Sequence, residues 1–374
     1  MVTPLGPDLD SFWSGLLGGG HALTAIERFA TDDLRVGRGG EIKKIPAVAS
    51  GIRSRAAALL VAAGADLRSR ARLGAAPERI AVVVGTALGG VEELEHALGH
   101  DRTPRRALDA LYDAPAHALA QWLGARGPAL TVSAACASGA TALGIGADLL
   151  REDAADLVVA GGYDVLCRFV LRGFDVLRSL TREQVRPFDR RRSGLLLGEA
   201  AGLVLLARER DARGPRLGRL LGHGSASDAS HVAAPDPGGR GLEAAIRAAL
   251  GAADVGGAEI DFVSAHGTGT LLNDRIETAV LHRALGPRAG AIPVNSIKGA
   301  LGHTMGAAAA LEAIMCWLAA REGLIPPTAG FEEGDPGCDL DYVPGSCRPA
   351  RPRLMLSTSL GFGGCNAALV LGAA

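Results

Sequence analysis

Two short apolar segments, each running straight into a long helix of small residues, constrain this chain more than any other feature. In the first, Ala129-Leu130-Thr131-Val132-Ser133 leads into AACASGATALGIGADLL; in the second, Ile292-Pro293-Val294-Asn295-Ser296 leads into IKGALGHTMGAAAALEAIM. A β-rich run followed at once by Ala, Leu and Gly at helical spacing reads as a strand turning into a helix. Further β-branched apolar runs at 80–84, 157–160, 203–206, 262–264 and 355–358 read as buried strands. The stretches 51–70, 141–150, 241–250 and 307–320 read as helices. Strand and helix alternate, which predicts α/β layers. The charged segment RERDARGP at 208–215, closed by Gly-Pro, marks a boundary. It divides the chain into residues 1–210 and 211–374, with one strand-to-helix junction in each half, and the repetition hints at a duplicated unit.

With 374 residues and 48% hydrophobic content, the chain can bury a core large enough for two domains or one double domain. Its 39 basic and 40 acidic residues nearly cancel, so the charge balance points to neither nucleic acid nor a membrane surface. The six cysteines (136, 167, 316, 338, 347 and 365) form no CxxC pair and no disulfide framework, which predicts a reducing, cytoplasmic setting. No apolar run approaches the ~20 residues of a spanning helix, and MVTPLGPDLD lacks the features of a signal peptide.

Three residues carry candidate chemistry. Cys136 follows a predicted strand and precedes a predicted helix, where the positive end of the helix dipole would favour the thiolate. Backbone N–H groups of the same turn could stabilise a tetrahedral oxyanion. His266 lies in Ser264-Ala265-His266-Gly267-Thr268-Gly269-Thr270, on a glycine-rich loop after a strand, with Asn273, Asp274 and Glu277 following. The Thr268 and Thr270 hydroxyls there could hydrogen-bond an amide-bearing arm. His303 closes Lys298-Gly299-Ala300-Leu301-Gly302-His303, and a buried Lys298 would need a carboxylate such as Glu312, fourteen residues on. Taken singly, each is more often a core or loop residue. Zinc held by Cys136, His266 and His303 lacks any short-range ligand pair to support it. The glycine-rich pieces GTALGG (85–90) and GFGG (361–364) fit neither the dinucleotide nor the P-loop pattern.

The order of motifs resembles the 3-oxoacyl-(acyl carrier protein) synthases of the I/II type and the ketosynthases of type II polyketide systems. The matching pieces are VSAACASG, RPFDRRRSGLLLGEAAG, HGTGTLLND, NSIKGALGHTMGAAAALE, GCDLDYVP and SLGFGGCN, which fall in order across almost all of the chain from Ile80 onward. The resemblance implies a thiolase-like fold, two similar halves in an α-β-α-β-α arrangement of five layers. It implies that Cys136 is an acyl-accepting nucleophile, that His266 and His303 decarboxylate a malonyl unit, and that Lys298, paired with Glu312, organises the site electrostatically. Phe362 matches the family's mobile gate, and its backbone N–H would join that of Cys136 in an oxyanion hole; Gly363 of the same loop is a candidate substrate-binding residue. Thr268 and Thr270 match pantetheine-binding threonines, and Leu88 matches a residue of the acyl pocket. The implied reaction is a decarboxylative Claisen condensation giving a 3-oxoacyl thioester in fatty acid or polyketide biosynthesis. It needs no cofactor beyond the phosphopantetheine of the acyl carrier protein. The resemblance further implies a homodimer or a ketosynthase heterodimer. Carrier proteins of this class are acidic, so Arg186, Arg190, Arg191, Lys43 and Lys44 are candidates for binding one. The non-catalytic alternative is a chain-length-factor subunit, which shares the fold but lacks the active cysteine. A degradative thiolase or coenzyme-A-dependent synthase fits less well, because related initiation enzymes usually carry asparagine where His303 stands.

Two departures from the family pattern set further expectations. Family members open with a strand before the TPLG motif, whereas this sequence starts at Met1-Val2-Thr3-Pro4. The first strand is therefore expected to be missing, with loss of ladder hydrogen bonds and core area. The segment 90–127 is also shorter than the family norm, in a region that usually shapes the dimer interface and acyl tunnel.

Overall fold

A computed structural model describes residues 1–49, 51–99 and 103–374, the side chain of Arg105 excepted. Of the short segment 90–127, residues 100–102 lie outside the described residues. Among the described residues, nine strands build the two large sheets. The first sheet holds β1 (Ile80–Gly85), β2 (Ala129–Val132), β3 (Leu157–Asp164) and β4 (Ala200–Ala207). The second holds β5 (Gly218–Ser227), β6 (Phe262–Ser264), β7 (Val294–Asn295), β8 (Leu354–Gly361) and β9 (Cys365–Ala373).

The spatial order is β2-β1-β3-β4 in one sheet and β7-β6-β8-β9-β5 in the other. The first three strands of each run parallel and the fourth antiparallel. The two halves are thus one unit repeated, as the paired strand-to-helix junctions suggest. In the second sheet β5 adds an antiparallel edge beyond β9. At the matching edge of the first sheet, the described residues provide a single antiparallel bridge. There Val2 N–H donates to Ala201 O at 2.8 Å, and Ala201 N–H donates back to Val2 O at 2.9 Å. The Met1 ammonium, 2.6 Å from Asp66 Oδ2, anchors this segment to the adjoining helix.

Seven helices cover the sheets: α1 (Arg55–Arg70), α2 (Ala114–Leu123), α3 (Ser138–Arg151), α4 (Arg168–Val176), α5 (Arg240–Ala253), α6 (Leu271–Leu285) and α7 (Ala308–Glu322). Helices α3 and α7 lie side by side between the sheets and touch both; α1 and α2 pack outside the first sheet, α5 and α6 outside the second. The result is the five-layered α-β-α-β-α arrangement of a thiolase-like fold. Residues 308–319 of α7 are all buried, as befits a stretch of helix in a central layer that is apolar all round except at Glu312.

The strands at 157–160 and 203–206 prove longer than their apolar runs, extending to Asp164 and back to Ala200. Gly161 and Gly162 interrupt the β-branched pattern, yet both are strand residues required for close approach. A Cβ on Gly161 would lie 2.0 Å from Gly202 O, and one on Gly162 would lie 2.1 Å from Gly306 O. Among the described residues no helix is long and apolar enough to cross a membrane.

Candidate active site

Cys136 sits on a sharp turn between β2 and α3. Ala135 adopts φ 49°, a left-handed conformation uncommon for a residue with a side chain. Ser138 holds the turn: its hydroxyl accepts from Ala134 N–H at 2.9 Å and contacts Thr86 O at 3.2 Å. The second junction is folded in a similar way. The short helix Lys298–Leu301 ends at Gly302 (φ 75°), and Met305 (φ 51°) turns the chain into α7, so that His303 projects toward Cys136.

His303 Nε2 lies 2.8 Å from Cys136 Sγ, while His303 Nδ1 accepts from Met305 N–H at 3.3 Å. With Nδ1 as acceptor, Nε2 carries the proton and is the donor into the site. The His266 ring meets His303 edge-on, centroids 5.2 Å apart. The reactive atoms of Cys136, His266 and His303 all lie within 4.8 Å of one another. Burial holds both histidines well below their ordinary range, and the Lys298 ammonium lowers them further. Both imidazoles are therefore neutral at pH 7.

Lys298 and Glu312 form a buried ion pair. Burial raises the Glu312 carboxyl, and Lys298 opposes the rise. For Cys136, the expectation of a depressed thiol is corrected. Burial pushes it up to about 12, outweighing Lys298 and the backbone N–H groups of Phe362 and Cys136. The physical reason is position: the thiol is buried and lies before α3, which begins at Ser138, so the hydration an anion would lose outweighs what the helix end offers. The resting cysteine is a thiol.

Carboxylates that sequence reading left without a role fix the histidine loop. Glu277, on α6, accepts from His266 N–H at 2.7 Å, Gly267 N–H at 2.8 Å and the Thr358 hydroxyl at 2.6 Å. Its burial pushes it up to about 7. Asp274 accepts from Phe188 N–H at 2.7 Å and Gly269 N–H at 3.2 Å. Asp164, at the end of β3, receives Thr86, Ala87 and Leu88 from its own half and Gly306 N–H from the other. An acid ending an apolar strand was its available signal. The buried lysine did have the partner its burial demands.

A cavity of about 370 Å³ opens onto Cys136, His266 and His303. Thr268, Thr270, Ser193, Phe174, Phe362 and Asn366 line its walls. The Thr268 and Thr270 hydroxyls are 3.0 Å apart. Phe362 stacks on Phe174 of α4 with centroids 5.3 Å apart, and Gly363 (φ 80°) donates its N–H to Val232 O. Leu88 lies off this cavity, packed in the cluster that also holds Phe174. Of the basic candidates, Arg186 pairs with Glu332 at 2.9 Å, Arg190 with Glu333 at 2.5 Å, and Arg191 with Glu332 at 2.7 Å. Lys43 pairs with Glu41 at 2.6 Å and Glu27 at 3.0 Å; Lys44 is exposed, and neither lysine lines the cavity.

The trio also has the spacing of a three-ligand cation site. Two features favour a nucleophile with two donors instead. Sγ and Nε2 are bonded to each other, and the Lys298 ammonium would repel a bound cation. A thiol bonded to one imidazole and faced by a second, at the floor of a cavity in a duplicated α/β fold, defines an acyl-condensing enzyme of the thiolase-like class. The chain belongs to the beta-ketoacyl synthase family: the N-terminal domain of that family matches residues 1–212 and its C-terminal domain matches residues 217–332. It is 36% identical to the tetracenomycin polyketide synthase ketoacyl synthase alpha subunit of Streptomyces glaucescens, covering 99% of this chain and 94% of the relative. The ishigamide ketosynthase/chain length factor superposes with a TM-score of 0.92 at 34% identity, covering 100% of this chain and 97% of that one. A type II polyketide ketosynthase, solved with its acyl-carrier protein and bound to the hexaketide, gives 0.92 at 25% identity over 100% and 97%. With its Cys–His–His trio intact, the chain is a ketoacyl synthase that carries out condensation chemistry, and the non-catalytic chain-length-factor alternative is set aside.

Proposed function

We propose that Cys136 takes an acyl group from a carrier-bound thioester and that His266 and His303 then drive decarboxylation of a malonyl thioester. The observation that carries this reading is the 2.8 Å contact between His303 Nε2 and Cys136 Sγ, with His266 beside them at the cavity floor. In the first half-reaction Sγ attacks the thioester carbonyl. The C–S bond to the carrier breaks, and the thiol proton leaves with the departing phosphopantetheine thiol. The N–H groups of Phe362 and Cys136, which favour negative charge on the sulfur, would stabilise the tetrahedral oxyanion.

In the second half-reaction the neutral imidazoles donate to the malonyl thioester oxygen while carbon dioxide leaves. The resulting enolate attacks the acyl-cysteine and forms a carbon–carbon bond. The released Cys136 thiolate takes up a proton, and a 3-oxoacyl thioester longer by two carbons departs. Neutrality matters here, because an imidazolium would be the costlier species to keep buried beside Lys298.

The partners in this reading are an acyl carrier protein and a second subunit, either another copy or a related chain. Thr268 and Thr270 would bond the pantetheine amides, Phe362 would gate the cavity, Gly363 would contact substrate, and Leu88 would bear on acyl length. Arg186, Arg190, Arg191, Lys43 and Lys44 would tune carrier encounter through paired charges. The test is intact-mass measurement after incubation with an acyl-carrier thioester. Wild type should gain one acyl mass and Cys136→Ala none. His303→Ala should still be acylated but should release carbon dioxide from malonyl carrier roughly 10²- to 10³-fold more slowly. An adduct that persists in Cys136→Ala would remove the assignment.

A further inference from the structure

Exposure increases along the cavity from its floor to its lip. Cys136, His266 and His303 are buried at the floor, whereas Leu177, Leu271 and Leu272 at the lip are 51%, 56% and 61% exposed. Two potential hydrogen-bond donors share that lip, Arg178 and His231, and both are exposed. The surrounding arginines are already engaged: Arg168 with Asp33 at 2.5 Å, Arg172 near the same carboxylate, Arg186 and Arg191 with Glu332, Arg190 with Glu333, and Arg192 with Asp335 at 3.0 Å. Among the described residues, no carboxylate lies within ion-pair distance of Arg178. It follows α4 in a left-handed conformation (φ 54°), a strained geometry that tends to persist where function requires it.

His231 is held just as specifically. Its Nδ1 accepts from Ala233 N–H at 3.0 Å and Ala234 N–H at 2.9 Å, which leaves the proton on Nε2. The loop that carries it is tied to the floor of the site. Gly363 N–H donates to Val232 O at 2.8 Å, Asp228 N–H to Gly364 O at 2.9 Å, and Asn366 Nδ2 to Asp228 Oδ1 at 2.8 Å. Asp228 is the carboxylate on the cavity wall, and its second oxygen accepts from Asp236 N–H at 3.0 Å. The lip thus combines a guanidinium without an ion-pair partner among the described residues and a fixed imidazole N–H with leucines.

We propose that Arg178 and His231 form a phosphate-recognition pair that holds the phosphodiester of the incoming carrier arm and so sets the depth at which its thioester meets Cys136. The proposal rests on the carrier-dependent reading above. An arm that is amide and alkyl over most of its length suits the threonine-lined walls and the leucine lip. Its anionic end is the group that needs a planar, charged donor.

The test compares acylation of Cys136 by acyl-phosphopantetheine, acyl-pantetheine and the acyl-carrier thioester. Wild type should prefer the phosphorylated arm over the unphosphorylated one in kcat/KM. In Arg178→Met and His231→Phe that preference should fall about tenfold, the factor commanded by one charge-assisted hydrogen bond, and Arg178→Lys should restore part of it. Thermal unfolding of Arg178→Met should match wild type, since that side chain is exposed; His231→Phe also loses the bonds from Ala233 and Ala234 N–H, so it is read only by the ratio of the two arms on the same variant. A loss seen only with the intact carrier would assign the residues to the carrier's surface and overturn the proposal. So would an absence of phosphate preference in wild type, or inorganic phosphate competing against acyl-pantetheine as strongly as against its phosphorylated form. Failure of every thioester to acylate Cys136 would instead overturn the reading of function itself.

Discussion

Lys298 acts on each member of the site at once, lowering the two histidines and the cysteine and opposing the rise of Glu312. A fully buried ion pair gains little over an apolar one, yet losing one partner strands the other charge. Lys298→Met should therefore lower unfolding stability by about 3–5 kcal/mol at neutral pH, as read from urea midpoints. The sign of its pH dependence follows from Glu312. Without Lys298 the folded-state carboxyl rises further above its unfolded value, so stability is greatest in acid and is lost as pH rises through the folded value. The gap to wild type should narrow on going from pH 8 to pH 5, and Lys298→Met with Glu312→Leu should recover most of the stability. A gap that widens in acid would contradict this account. The identities of these residues were legible in the sequence, because a lysine in an apolar helix start needs an acid partner. The state of the Cys136 thiol was not, since depth of burial is a property of the packed layers.

Cys136 and His266 follow strand ends and His303 follows the short helix after β7, and glycines let these segments meet. Gly85, Gly139, Gly162 and Gly306 come together where β1, β3, α3 and the start of α7 converge, with no room for side chains. Gly162→Ala would place its Cβ 2.1 Å from Gly306 O, so the segment bearing His303 must move away from the one bearing Cys136. The expected cost is about 1–3 kcal/mol of stability. Carbon dioxide release should fall more than Cys136 acylation, because only the former needs both halves in register. Equal losses in the two steps would argue for general unfolding. From sequence, the apolar run of β3 stops at residue 160, short of Gly161 and Gly162, since periodicity shows which face is apolar but not what backbone passes close by.

The sheets meet across α3 and α7, and Asp164 locks them by accepting Gly306 N–H from the opposite half. One side of the molecule stays open. β2 ends its sheet, and Leu130 on that edge is exposed, as are Leu94, Leu98, Leu108 and Leu111 elsewhere on the surface. An uncovered strand edge that carries an apolar residue invites pairing with another chain. In sedimentation, the wild-type chain should run at twice its mass, alone or with a related subunit, and Leu130→Lys should shift it to a single mass. Single-mass behaviour of wild type in both settings would remove the dimer from the proposal.

The sequence by itself determined the alternation of strands and helices, the two junctions, the trio Cys136, His266 and His303, and the pairing of Lys298 with an acid. These are local patterns, or pairings forced by the cost of burying charge. Only the tertiary structure decided that the thiol rests protonated and that Glu277, Asp274 and Asp164 hold the loops. It alone shows Arg186, Arg190 and Arg191 already paired, while Arg178 meets no carboxylate among the described residues. Each of those outcomes depends on which groups lie nearby in space, as with Cys136 and His303, in contact at a separation of 167 residues.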